Sequence, residues 1–133
     1  MTVLISFQKA LIHCILSANE TKARVRGVYT QPSEKIQAPY IKLSDVSMEE
    51  WSNHLSRGKI IKMTFDIISS NPSNQECIEV SEHLERVLAR KEIYGKDFVL
   101  FLCKITSTKI TYIQMEKIWC GEIKAKFWIE TLH

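Results

Sequence analysis

Four cysteines and four histidines are the side chains of this 133-residue chain best suited to nucleophilic or metal chemistry. A zinc site would have to collect His13, Cys14, Cys77 and His83. His13 and Cys14 are adjacent and so point to different sides of a helix, and Cys77 and His83 also fall on different faces. Neither pair has the short spacing of structural zinc ligands. The four cysteines (Cys14, Cys77, Cys103, Cys120) contain no CxxC, and three sit in apolar runs, where a free thiol behaves as a small hydrophobe. Cys77 is the exception for reactivity, because it falls in the first turn of an expected helix, where the dipole favours thiolate. Its place on that helix's apolar stripe argues instead for a buried, inert thiol. The four glycines are isolated at Gly27, Gly58, Gly95 and Gly121, so no phosphate-cradling loop is present. Asp45, Glu49 and Glu50 cluster in a polar stretch that reads as solvated. No catalytic, cofactor-binding or metal-binding set is therefore expected. What stands out is a surface: Lys124, Lys126 and Trp128 fall on the charged side of an alternating strand, and Trp51 lies in the polar middle stretch. A large aromatic on a charged face points either to a partner surface or to a local cover for the sheet.

These residues need a scaffold, and composition bounds it. At 45% hydrophobic and 25% charged the chain has an ordinary globular make-up. Its length fits one domain over residues 1–133, able to bury somewhat under ~70% of its unfolded surface. The net charge of +3 comes from 18 basic and 15 acidic residues with no block of five like charges. That weighs against a dedicated nucleic-acid binder. The apolar run Phe98–Cys103 is far too short to span a bilayer, the N-terminus has no basic n-region, and folding in a reducing cytoplasm is expected.

Periodicity supplies the elements. Leu4, Phe7, Leu11, Ile15 and Ala18 define one helix face, widened by Ile5, Ile12 and Leu16 into a helix buried on more than one side. Residues 25–30 form a short edge strand, and Gln31–Lys35 a loop. Pro39 begins a half-buried strand over 40–44. The stretch 45–58 reads as a turn or two of helix or as a long hairpin loop. In Lys59–Ile68, Ile61, Met63, Phe65 and Ile67 alternate with polar residues, which specifies the register. Ser73 and Glu76 form a capping box before a second helix striped with Cys77, Val80, Leu84, Val87 and Leu88. Phe98–Ile105 reads as a strand buried on both faces, 106–109 as a turn, and 110–117 as another strand. A last strand from Trp119 to Glu130 carries one wet face and a bulge or hairpin corner at Gly121. The fold class is α+β: a mostly antiparallel sheet of about five or six strands with two helices packed on one face.

Several pieces in this order resemble the tail-completion, or tail-terminator, family of long-tailed phages and prophage-like particles, including gene-transfer agents. They are Phe7-Gln8-Lys9-Ala10-Leu11, Gly27-Val28-Tyr29, Ala38-Pro39-Tyr40-Ile41, Trp51-Ser52, Arg57-Gly58, Phe65-Asp66-Ile67, the helix at Leu84–Leu88 and the closing alternating strand. The resemblance spans nearly the whole chain, and none of its pieces is catalytic. It implies a non-enzymatic virion protein of the tail or neck, assembled in the host cytoplasm. It implies a homo-oligomer, a hexameric ring that caps the tail tube, stops its polymerisation and meets the head connector or stopper. DNA passes through such a channel without specific binding, and neither membrane nor cofactor is involved. Trp51, Trp128, Lys124 and Lys126 are the candidate interface residues. The alternatives are another head–tail joining component, a small cytoplasmic enzyme or ligand-binding domain, and a nucleic-acid-binding module.

Overall fold

The computed structural model describes residues 2–22, 24–30, 36–51 and 58–132. The expected loop at 31–35, together with Ser52, His54, Leu55, Arg57 and His133, lies outside the described residues. Helix α1 (Val3–Ser17) is capped by the Thr2 hydroxyl, which accepts from Ile5 N–H, and its buried face is Phe7, Leu11 and Ile15. Ile5 and Leu16 are exposed, so the helix is buried along one stripe rather than on several sides. One further turn, α2 (Asn19–Lys22), follows. Strand β1 (Val28–Tyr29) leads to β2 (Tyr40–Glu50) and β3 (Gly58–Ser69), then helix α3 (Gln75–Ala89), β4 (Phe98–Ile113) and β5 (Ile118–Thr131).

The five strands form one sheet in the order β1-β2-β3-β5-β4, antiparallel except for the two-residue parallel β1·β2 contact. Helices α1 and α3 pack on one face, which makes the fold α+β as expected. Their stripes meet Ile61, Met63, Phe65 and Ile67 of β3 and Ile123, Ala125, Phe127 and Ile129 of β5 in one core. Phe7 anchors it, with its ring 5.2 Å from Phe98 and 5.1 Å from Phe127.

Several expectations about the strands change. The stretch 45–50 continues β2 as strand, with a bulge between Leu43 and Asp45. Only Val46 and Met48 of that stretch are apolar; Val46 packs against the core while Met48 is exposed, which hides the alternation. The expected turn at 106–109 is also strand. β4 runs unbroken for 16 residues, absorbing irregularities between Leu100 and Leu102 and between Ile105 and Ser107, and the chain reverses at 114–117 instead. Nor is Phe98–Ile105 buried on both faces: β4 is an edge strand, and Val99, Phe101 and Leu102 are 44–48% exposed. Gly121 is in register, paired with Ile67 and Ile110, and makes no bulge. Its reason is space: a Cβ there would lie 2.5 Å from Ser81 Oγ and 3.2 Å from Cys77 Sγ, where α3 presses on the sheet.

The capping box is likewise not formed. Asn74 occupies the N-cap without a side-chain bond, and the Ser73 hydroxyl accepts from Gln75 N–H at 3.0 Å. Glu76 instead accepts from the buried Ser69 hydroxyl at 2.6 Å, tying α3 to the end of β3.

Candidate assembly surface

Cysteine chemistry comes first, because it could have made a site. Cys77 is buried, its thiol donating to the Ile67 carbonyl at 3.7 Å, and burial pushes its pKa to about 11. Burial also raises Cys103 and Cys120 to about 11 and moves Cys14 upward. At neutral pH all four are protonated thiols, so the dipole at the start of α3 does not activate Cys77. His13 bonds Ser17 across one helical turn, and His83 Nδ1 lies 2.8 Å from Arg86. Among the described residues no group of three or more His, Cys, Asp or Glu side chains is gathered to hold a metal. An open hollow of about 390 Å³ beside α3 is lined by polar groups already satisfied by one another, such as Arg24 with Glu79 at 2.9 Å.

The sheet face away from the helices has a different organisation. Strand alternation sends every second residue there, and the register arranges these residues in rows across β2, β3, β5 and β4. One row is Ser47, Lys62, Lys126, Lys104; the next is Asp45, Thr64, Lys124, Ser107. Three lysines thus stand directly opposite one another on three neighbouring strands, an arrangement that is destabilising by itself. Lys62 is relieved by Glu49 at 3.3 Å, and Lys124 touches Glu122 at 4.0 Å. Lys104 and Lys126 form no ion pair among the described residues. A shallow hollow of about 260 Å³ lies over this band, with Asp45, Ser47, Lys62, Thr64 and Lys124 in its lining. One row beyond Thr64 and Lys124, burial holds the Asp66 carboxyl above its ordinary value despite a hydrogen bond from Ser44 and the charge of Lys42.

The opposite end of the same face is apolar. Ile60, Trp128 and Leu102 form one row beside Glu49. Trp51, just past the end of β2, donates its backbone N–H to Gly58 at 3.3 Å, and its indole sits 6.3 Å from the Phe101 ring. The indole lies flat enough on the sheet that a Cβ on Gly58 would fall 1.2 Å from its Nε1. All four candidate interface residues therefore share the open sheet face: Lys124 and Lys126 in the basic band, Trp128 and Trp51 in the apolar end. Trp51 is half covered, so it acts first as packing for Gly58 and Phe101.

Sequence reasoning missed Val99, Phe101 and Leu102, the most exposed apolar cluster in the sheet. The signal was the chain just after them: Lys104, Ser107 and Lys109 alternate with Ile105, Thr108 and Ile110 once the extra residue at 106 is allowed for.

No protein-family model and no curated protein sequence matches the chain. Solved structures do. A chain in the virion of a native gene transfer agent particle superposes with a TM-score of 0.85 at 13% identity, over 97% of this chain and 98% of that one. The gp17 protein of bacteriophage SPP1 superposes with a TM-score of 0.63 at 21% identity, over 97% of this chain and 90% of its own. At these identities the likeness establishes the fold: helices on one face of a mostly antiparallel sheet, shared end to end with a gene-transfer-agent virion protein.

Proposed function

We propose that the chain is a structural protein of a phage or phage-like virion, acting as a tail terminator. In this reading the whole of 1–133 is one tail-terminator-like domain. Copies form a ring, hexameric by the family resemblance, that caps the tail tube, ends its polymerisation and joins it to the head connector or stopper. The observation that carries the reading is the near-complete coverage, in both directions, of the match to a component of a gene-transfer-agent virion. The protonated thiols and the open sheet face, with its basic band and apolar end, fit a role in which surfaces do the work.

Function in this reading is complementarity between copies and with neighbours in the particle. The open sheet face and its Trp51, Trp128, Lys124 and Lys126 belong to those surfaces. The site of action is the tail or neck of the particle, and assembly takes place in the host cytoplasm. DNA crosses the ring without base-specific contacts, and no cofactor enters the mechanism. Deleting the gene from particle-producing cells and imaging the products tests this. Tails of abnormal length, not joined to heads, are expected. Unjoined components with tails of normal length would mark a different neck protein, and normal infectious particles would refute the virion role.

A further inference from the structure

The sheet has two unpaired edges of different character. On one side, among the described residues, β1 covers only Ile41 and Lys42 of β2 and leaves residues 43–50 without a strand on that side. On the other side, among the described residues, β4 has only β5 for a strand neighbour, which leaves its outward edge unpaired. A long edge with exposed apolar residues invites pairing with another chain.

We propose that these two edges are partners, and that a second copy of this chain is the occupant: the 43–50 edge of one copy pairs with the 100–108 segment of β4 in the next. The interface deepens the ring reading and rests on it for closure and for a ring axis that runs along the strands. Three observations argue for it. First, direction: β2, β3, β5 and β4 alternate, so β4 runs opposite to β2. Rotation about an axis along the strands preserves direction, so β4 meets the next copy's β2 antiparallel, the more stable pairing. Second, charge: 43–50 holds Asp45, Glu49 and Glu50 and no base, while 99–109 holds Lys104 and Lys109 and no acid. Glu49 and Glu50 already meet Lys62 and Lys59, yet their side chains are 55% and 82% exposed and can serve a second cation. Third, faces: in one chain Met48 shares a row with Cys103, and Val46 shares one with Ile105, all on the helix side. Level pairing between copies therefore sets Met48 beside Cys103 and Val46 beside Ile105. On the open side Lys104 then lies between Asp45 and Glu49 of its neighbour, at diagonal distances that long side chains span. The contact is heterologous, two different patches per subunit, as a closed ring requires.

A disulfide reads the contact. Within one chain Met48 and Cys103 are separated by two strands, about 14 Å at the usual strand spacing, beyond disulfide reach. Oxidising Met48→Cys, in concentrated purified protein and in assembled particles, is expected to give a ladder of covalent oligomers that vanishes in M48C/C103S. A strand tilt shifts register by an even number of residues if faces are kept, so Val46→Cys and Glu50→Cys are run alongside. Lys104→Glu is expected to abolish assembly, and the added swap Asp45→Lys with Glu49→Lys to restore it. No Cys103-dependent ladder from any of the three variants, in either preparation, overturns the interface. If the deletion still gives abnormal tails, the ring reading survives that failure. A ladder from a protein whose loss leaves particles normal would keep the interface and remove the virion role.

Discussion

At the scale of single residues, the positions that matter most are those where two elements come closest. Gly121 has no Cβ because α3 needs the volume, with Ser81 and Cys77 directly above it. Gly121→Ala should lower stability by about 1–3 kcal/mol, the usual range for overpacking. Chemical denaturation measures it, and Ser81→Ala in the same background should recover part of the loss. The sequence marks Gly121 as special but not why, since a bulge and a close approach both call for a residue without a side chain. The thiols give a second expectation. Cys77, Cys103 and Cys120 titrate near 11 in the fold against an ordinary value of 9.0. Below pH 9 both states hold these protons and the folded state keeps its full advantage. Between about 9 and 11 the unfolded chain releases them first, so stability falls as pH rises through that window. Urea midpoints from pH 8 to 11 should show the fall, and Cys103→Ala with Cys120→Ala should flatten it. The complete burial of Cys77 should make that thiol slow toward a thiol reagent at pH 7.5 until urea is added.

At the scale of elements, legibility followed burial. β3 and β5 alternate without a break because their neighbours on both sides fix one face in the core. α3 shows its stripe for the same reason. The edge elements were harder. β2 beyond Leu43 and β4 beyond Ile105 each have solvent on one edge as well as one face, so polar residues appear where a central strand would be apolar, and an irregularity shifts the period by one. Thr106–Lys109 looked like a turn for that reason. The start of α3 misled in a smaller way: Ser73 and Glu76 have the spacing of a capping box, but Ser69 captures Glu76 and leaves Ser73 bonded to Gln75. Ser73→Ala should therefore cost about 1 kcal/mol, the scale of a helix-terminus hydroxyl, read as a shift in thermal midpoint. Ser69→Ala should cost at least as much, since Ser69 is fully buried and its loss removes the 2.6 Å hydrogen bond that ties β3 to α3.

At the scale of the whole molecule, two sheet faces divide the work. One is sealed by helices and accounts for stability; the other stays open and carries the four residues expected to meet partners. Which residues belong to the open face could be read from alternation in β3 and β5. That Trp51 joins them across 58, and that Phe101 lies beneath its ring, depended on pairing between distant segments that no local pattern records. The row Lys62, Lys126, Lys104 has a consequence of its own. Three ammonium groups on adjacent strands repel most strongly in dilute buffer, and the Debye length shrinks to ≈ 8 Å only at physiological ionic strength. The isolated protein should therefore melt at a higher temperature as potassium chloride is added, against the common trend for surfaces held by ion pairs. Lys126→Gln should raise the low-salt midpoint and reduce the slope. The lysine row is in effect a loaded spring, at rest only when counter-ions or a neighbour's carboxylates surround it.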